Sequence, residues 1–335
     1  MDQNDKQRRE SQQLLTRKLV EEKSAKGASF EGENLSGLFL SDLMLMGLDF
    51  SGANLSEAVL VNTDLSETIL ANAVLTGADM SGAHLTSANL AGADLTGANL
   101  EQACLQDTDF TGAILKKTRM SGAILHDAVF ENAVMTDAVL ERVKAADVNF
   151  SGADLSGANL AHSELPGADF SKSRLDKADF QQANIREASV EGAVGTQANF
   201  FQADLTELQA SDGADFSGAS FVNAAGNESI WHDAVLTDAD FSYSKMEGAD
   251  FTQASMERAN LYAANMKFTR FIKANLKQAK LVQMNLFEGS LEKADLTDAD
   301  LSGSNMYSAE FLDAVIVRTI MKNTNLKMTK LYKGI

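Results

Sequence analysis

The side chains in this chain that could do nucleophilic, acid–base or metal chemistry are few and scattered. Four histidines, His84, His126, His162 and His232, all fall in outward-reading slots of the sequence pattern. His84 and His126 are read onto one side of the fold but roughly 10 Å apart, too far to share one zinc ion. Cys104 is the single cysteine, which excludes an intrachain disulfide and a multi-thiolate metal site and fits a reducing compartment. The nearest approaches to a catalytic constellation are His126-Asp127 and Trp231-His232-Asp233, and neither has a distinctive nucleophile beside it. Carboxylates abound, but they recur at one fixed position of a repeat, so a catalytic pair could be drawn almost anywhere. No GxGxxG or P-loop is present. The sequence reads as a protein without a catalytic site, a cofactor or a metal.

What positions these residues is a beat of five. Large apolar centres recur at every fifth position from Phe30 to Leu205, and again, one residue out of register, from Phe216 to Leu331. Typical units are Ala53-Asn54-Leu55-Ser56, Ala93-Asp94-Leu95-Thr96-Gly97, Ala153-Asp154-Leu155-Ser156-Gly157 and Ala294-Asp295-Leu296-Thr297. The residue two before the centre is nearly always small. A five-residue period matches neither a helix nor a plain strand. It fits a coil whose sides each turn a corner, with two residues pointing inward and three outward.

The phenylalanines set the number of sides. Phe30, Phe50, Phe110, Phe130, Phe150 and Phe170 are spaced by multiples of twenty, and Phe251, Phe271 and Phe311 continue the column after the register shift. Twenty residues per turn means four sides. The sixty centres then predict an all-β solenoid of about 15 coils, roughly 70 Å long at a strand-like spacing of ~4.8 Å. A narrow alanine-rich interior suits such a coil and leaves no cavity in which to bury a substrate.

The A-(D/N)-L-(S/T)-x units resemble the pentapeptide-repeat family over about nine-tenths of the chain. The resemblance implies a right-handed quadrilateral β-helix. Two segments are expected: an N-terminal helical cap over residues 1–26, and a β-helix over 27–335 with a one-residue break near 206–213. In the first, Leu14, Leu15, Leu19 and Val20 form an apolar stripe expected to pack on a first coil swollen by Leu38, Leu43 and Leu48, with Phe39, Met44 and Met46 outside. Around the break a bulge or kink is expected, with Gly195 and Gly226 thinning the core on either side. The terminal coil, with centres Ile316, Met321, Leu326 and Leu331, reads as uncapped, an open strand edge suited to pairing two copies as a homodimer.

The net charge is −18, but residues 1–26 carry +2 and 312–335 carry +4, which leaves −24 on the span between them. Lys267, Arg270, Lys273, Lys277 and Lys280 stand out as a basic docking patch in an otherwise acidic body. No apolar run approaches the ~20 residues of a membrane span, and no signal-peptide pattern opens the chain. The expectation is a cytoplasmic protein, with secretion by a route that needs no cleavable signal left open.

These features point to a non-catalytic protein-binding rod with an acidic surface and no direct contact with nucleic acid. The resemblance sharpens this: some pentapeptide-repeat proteins mimic duplex DNA and bind DNA gyrase or topoisomerase IV. This chain departs from those in lacking long projecting loops and a C-terminal helix. The alternative that the resemblance implies is a bacterial secretion-system effector or accessory protein, with the rod as a targeting or assembly module.

Overall fold

In the computed structural model, residues 16–329 are described, and the chain divides into two compact units, Met1–Asn159 and Leu160–Ile335. Both are built the same way. A centre such as Phe50 points inward, and its carbonyl accepts the N–H of Ala53 at 2.9 Å. The two residues between them form a tight corner whose second member has positive φ, as in a type II turn. Glycine often takes that place (Gly92, φ 68°), yet Lys117 (56°), Tyr243 (60°) and Phe268 (60°) do so too. For a residue with a Cβ the left-handed conformation costs about 1–2 kcal/mol. Part of the offset is visible: the Lys117 N–H donates to Thr136 O in the next coil at 3.0 Å.

The sides stack in parallel register. Asn34 bridges Asn54, Asn54 bridges Val74, and the same spacing of twenty runs through the first unit to Val139 and Asn159. In the second unit it runs from Glu164 and Asn184 to Asn305 and Asn325. Each side gives its backbone groups to the neighbouring coil, as Leu55 N–H does to Val74 O (2.7 Å) and Val74 N–H to Ala53 O (2.9 Å).

The small residue sits just past the corner, where the chain turns back over the core. Alanine there is fully buried, and where threonine replaces it the hydroxyl reaches a carbonyl of the preceding coil: Thr63 to Leu40, Thr108 to Leu85, Thr269 to Met246. The aromatic columns predicted by the twenty-residue spacing are present within each unit. Phe110 and Phe130 stack at 4.6 Å, Phe180 and Phe200 at 4.9 Å, and Phe221 and Phe241 at 4.5 Å. Trp231 lies parallel to Phe251 and donates its indole N–H to Ser229 Oγ at 2.8 Å.

Gly195 and Gly226 do not thin the core. A Cβ on Gly195 would meet the Phe216 ring at 2.4 Å, and one on Gly226 would meet Met246 Sδ at 2.4 Å. The next coil supplies a larger side chain where the glycine leaves room. At the break, bridges lengthen to twenty-one residues (Val194 with Asp215, Gln209 with Ile230) and then return to twenty. The extra residue is absorbed in a corner, Ser211-Asp212-Gly213-Ala214, with positive φ at both Asp212 (55°) and Gly213 (71°) and an Ala214 N–H to Ser211 O bond of 3.1 Å. That φ pattern is of the type I′ kind, which Asp-Gly favours. Ala210 serves as the small centre between the two registers and is fully buried.

Residues 16–24 form the helix α1. Its inward face differs from the expected stripe. Val20 is buried, but Leu19 is 61% exposed, and Leu14 and Leu15 lie outside the described residues. The face toward the first coil is set by Arg17, Val20 and Ser24, at helical spacing. Arg17 donates to Phe39 O (3.4 Å) and Ser41 O (2.9 Å), and Ser24 Oγ donates to Met44 O (3.2 Å). In later coils the equivalent carbonyls accept N–H groups from the coil before, as Val59 O does from Leu40. At the first coil, side chains of α1 take that place. Leu38, Leu43 and Leu48 are each only 9% exposed, whereas Phe39, Met44 and Met46 remain about half exposed or more.

Candidate binding surfaces

The signature residue before each centre has a structural task. Asp49 Oδ1 accepts both the backbone N–H of Ser51 (2.9 Å) and its hydroxyl (2.6 Å), and the same pair of bonds recurs at Asp94 with Thr96, Asp154 with Ser156 and Asp295 with Thr297. This is an Asx turn that starts the corner, and it explains why the unit reads (D/N)-L-(S/T). The Ser51 hydroxyl and amide hold the Asp49 carboxyl below the usual carboxylate range. Much of the acidity is therefore written into the corner chemistry rather than added to it.

Neighbouring coils place these side chains in columns. Asn99 Nδ2 donates to Asp79 Oδ1 (2.9 Å), and Asn199 does the same to Asp179 (2.9 Å). The columns differ in charge between the units. Residues 27–115 contain twelve Asp or Glu and neither lysine nor arginine. In the second unit acids are often matched across coils: Arg258 holds Asp238 with two bonds (2.7 and 2.8 Å), Arg270 reaches Asp250 (2.9 Å) and Arg318 clasps Asp298. The guanidinium hydrogen bonds lower the Asp238 and Asp298 carboxyls from their ordinary value.

The five expected cations are not gathered on one surface. A coil takes twenty residues, so a run of fourteen wraps round it. Arg270 and Lys280 are ten residues apart in bridge positions, which places them on opposite sides, while Lys267, Lys273 and Lys277 occupy corners. Arg270 and Lys277 are also spoken for, by Asp250 and by Asp295 (3.3 Å). The histidines are likewise apart. His126 Nδ1 accepts the Ala146 N–H (3.1 Å), and His232 Nε2 lies 3.0 Å from Asp233 Oδ2. No cluster of three or more metal-ligating side chains occurs among the described residues. No helix among them is long and apolar enough to cross a membrane.

The last described coil is more open than those before it. Ile316 and Met321 and Leu326 are part-exposed where interior centres are buried, and Val315 (42%), Val317 (44%) and Ile320 (51%) are more exposed still. Leu331 lies outside the described residues.

Comparison with known proteins settles the family. The pentapeptide-repeat profile matches in overlapping windows from residue 26 to 278 and again from 285 to 331. The chain belongs to the pentapeptide repeat family. Its members form right-handed quadrilateral β-helices, and that is the fold of both units. No curated protein matches the chain. Among solved structures it is similar to HetL, a pentapeptide repeat protein involved in heterocyst differentiation regulation in the cyanobacterium Nostoc, at 26% identity over 88% of this chain and 95% of that one, with a TM-score of 0.22. It is also similar to a trypsin-treated variant of QnrB1, a plasmid-mediated fluoroquinolone resistance protein, at 14% identity over 67% and 92% with a TM-score of 0.34. A pentapeptide repeat protein of the Arabidopsis thaliana thylakoid lumen matches at 28% identity over 30% and 68%, TM-score 0.20.

Proposed function

We propose that this pentapeptide repeat protein is a non-catalytic scaffold that binds another protein through its acidic faces. The observation that carries this reading is the cation-free stretch at 27–115, where stacked coils hold Asp49, Asp64, Asp79, Asp94 and Asp109 in bridge positions. Of its twelve acids, Glu33 pairs with Lys23 and Glu101 with Arg119, and the other ten have no ion-pair partner among the described residues. Fixed carboxylates of this kind make a strong local negative potential. A partner with a basic groove is the complement, and a type II topoisomerase such as DNA gyrase, which grips duplex DNA, is the partner proposed; the protein would then act as a DNA mimic. The test is a gyrase supercoiling assay, with and without a quinolone. A change in supercoiling or in quinolone sensitivity at micromolar protein supports the reading, and no effect on either removes it. The same reading places the protein in the cytoplasm. It also pairs the open coil around Ile316, Met321 and Leu326 with a second copy, which light scattering at micromolar concentration would disprove by returning the mass of one chain.

A further inference from the structure

Three successive coils of the second unit depart from the habit of small corner residues. Ser51-Gly52 and Thr96-Gly97 turn the chain with little bulk, whereas Ser242-Tyr243 and Tyr262-Ala263 set a tall side chain diagonally across from a short one, with Val282 following in the next coil. Tyr243 is 54% exposed and meets Tyr262 edge to face, with ring centroids 5.4 Å apart and planes at 81°. Tall beside short leaves a hollow. Ser242, Tyr243, Asn260, Tyr262, Lys280 and Val282 line an open groove of about 380 Å³ there. It crosses three coils, about 10 Å at a strand-like spacing.

The groove holds polar groups that the fold leaves unsatisfied. Ser242 is only 7% exposed; its N–H donates to Asp240 Oδ1 (2.8 Å), but its hydroxyl has no hydrogen-bond partner among the described residues. At the same place in their units, Ser51, Ser56, Ser156 and Ser217 donate their hydroxyls to the Asp or Asn two residues before. Among the described residues, the one side-chain polar atom sealed from solvent without a partner is Ser244 Oγ, so the Ser242 hydroxyl opens onto the groove. Charge is close to balanced. Lys280 has no ion-pair partner among the described residues, but Asp300 bridges it from the next coil and Asp240 accepts from Asn260 Nδ2 at 3.1 Å. One ammonium between two carboxylates selects neither an anion nor a cation.

We infer that this groove binds a short neutral saccharide. A pyranose ring is a slab with C–H faces and a rim of hydroxyls. One face packs on the Tyr243 ring, and Tyr262, nearly perpendicular to it, closes an edge. The rim hydroxyls accept from Lys280 Nζ, and they both accept from and donate to the Ser242 hydroxyl. A buried hydroxyl without a partner costs free energy that a ligand hydroxyl recovers, whereas a purely apolar ligand leaves it unmet. None of these residues belongs to the acidic stretch at 27–115, so this inference and the topoisomerase reading fail independently.

The test is calorimetric titration of the full chain with maltohexaose, cellohexaose, mannohexaose and chitohexaose. A polyuronate, a proline-rich peptide and oligodeoxythymidine are the comparison ligands. Saturable binding of at least one of the four neutral sugars is expected, with an affinity that stays within about twofold as salt rises. Ser242→Ala should weaken it by about threefold or more. Tyr243→Asn should weaken it by about tenfold or more, and asparagine suits the positive φ of that corner (60°). Because the Ser242 hydroxyl bonds nothing in the fold, Ser242→Ala should keep the parent's thermal transition, which a structural role for that hydroxyl would not allow. Tyr307→Ser, on another corner, should leave binding within about twofold. No binding of any of the four sugars, undiminished binding by Ser242→Ala and Tyr243→Asn, an affinity that falls steeply with salt, or tighter binding of the polyuronate, the peptide or the nucleotide overturns the inference.

Discussion

The first coil and the last described coil are built from the same unit and meet solvent differently. In the first, Phe30, Leu35, Leu40 and Leu45 are as buried as interior centres, and α1 bonds to its outer carbonyls through Arg17 and Ser24. In the last, Ile316, Met321 and Leu326 are part-exposed, and the N–H groups of Met321 and Leu326 find no acceptor among the described residues. Each edge of a parallel coil presents both kinds of group, because centres donate forward and bridge residues donate backward, as Leu35 N–H does to Asn54 O and Asn54 N–H to Glu33 O. At the first edge α1 meets the carbonyls of Phe39, Ser41 and Met44 with a guanidinium and a hydroxyl. At the last described coil the centres offer N–H groups and the small residues offer carbonyls, so sealing it takes acceptors and donors together.

The largest expected effect comes from breaking the sealed edge. Arg17→Ala removes the donors to Phe39 O and Ser41 O and should cost about 1–3 kcal/mol locally. Hydrogen exchange of amides in residues 30–50 should speed up by about tenfold or more, while amides around 300–320 keep their rates. Val20→Ala should follow, at about 1–2 kcal/mol for a buried side chain. Leu19→Ala, on the exposed face of the same helix, should stay within about 0.5 kcal/mol in a denaturant melt. Equal losses for the two would mean that α1 does not dock by the Arg17–Val20–Ser24 face. At the open edge, Ile320→Lys should leave stability within about 0.5 kcal/mol, yet lower the solution mass if copies pair there.

The smallest effect separates two ways of lowering a carboxyl pKa. Asp298 near the last coil is held down by the Arg318 hydrogen bonds and its charge, and Asp49 near the first by the Ser51 hydroxyl and amide. Because both are depressed in the folded state, their stabilisation is present above the ordinary value of 3.8 and is lost as pH falls below it. High salt should move Asp298 back toward 3.8 and leave Asp49 in place, read by NMR titration of the two carboxyls. A matching salt response at both would remove the distinction.

The coil and its four sides were legible because the inward residues repeat: a centre every five and an aromatic column every twenty. The Asx turns were not read from the recurring Asp, which passed for filler because its bond to the N–H two residues on exists only once the corner is made. Positive φ at the second corner residue was hidden by side chains as different as Lys117, Tyr243 and Phe268. The compensation of Gly195 by Phe216 was available at the right spacing, twenty-one residues on, but only after the break had been placed. Surface grouping was least legible. The run from Lys267 to Lys280 is a cluster in sequence and a girdle in space, whereas Tyr243, Phe268 and Tyr307 are distant in sequence and flank one side.

The corner at Ser211–Ala214 carries a lesson about how such chains can change length. One added residue flips a turn from one φ pattern to another and leaves the bridges on both flanks intact. Lengthening within a side would instead swap inward and outward residues for the remainder of that coil. Corners are thus the joints at which insertions and deletions are tolerated, and they are where natural variation or a grafted peptide could enter without rewriting the core.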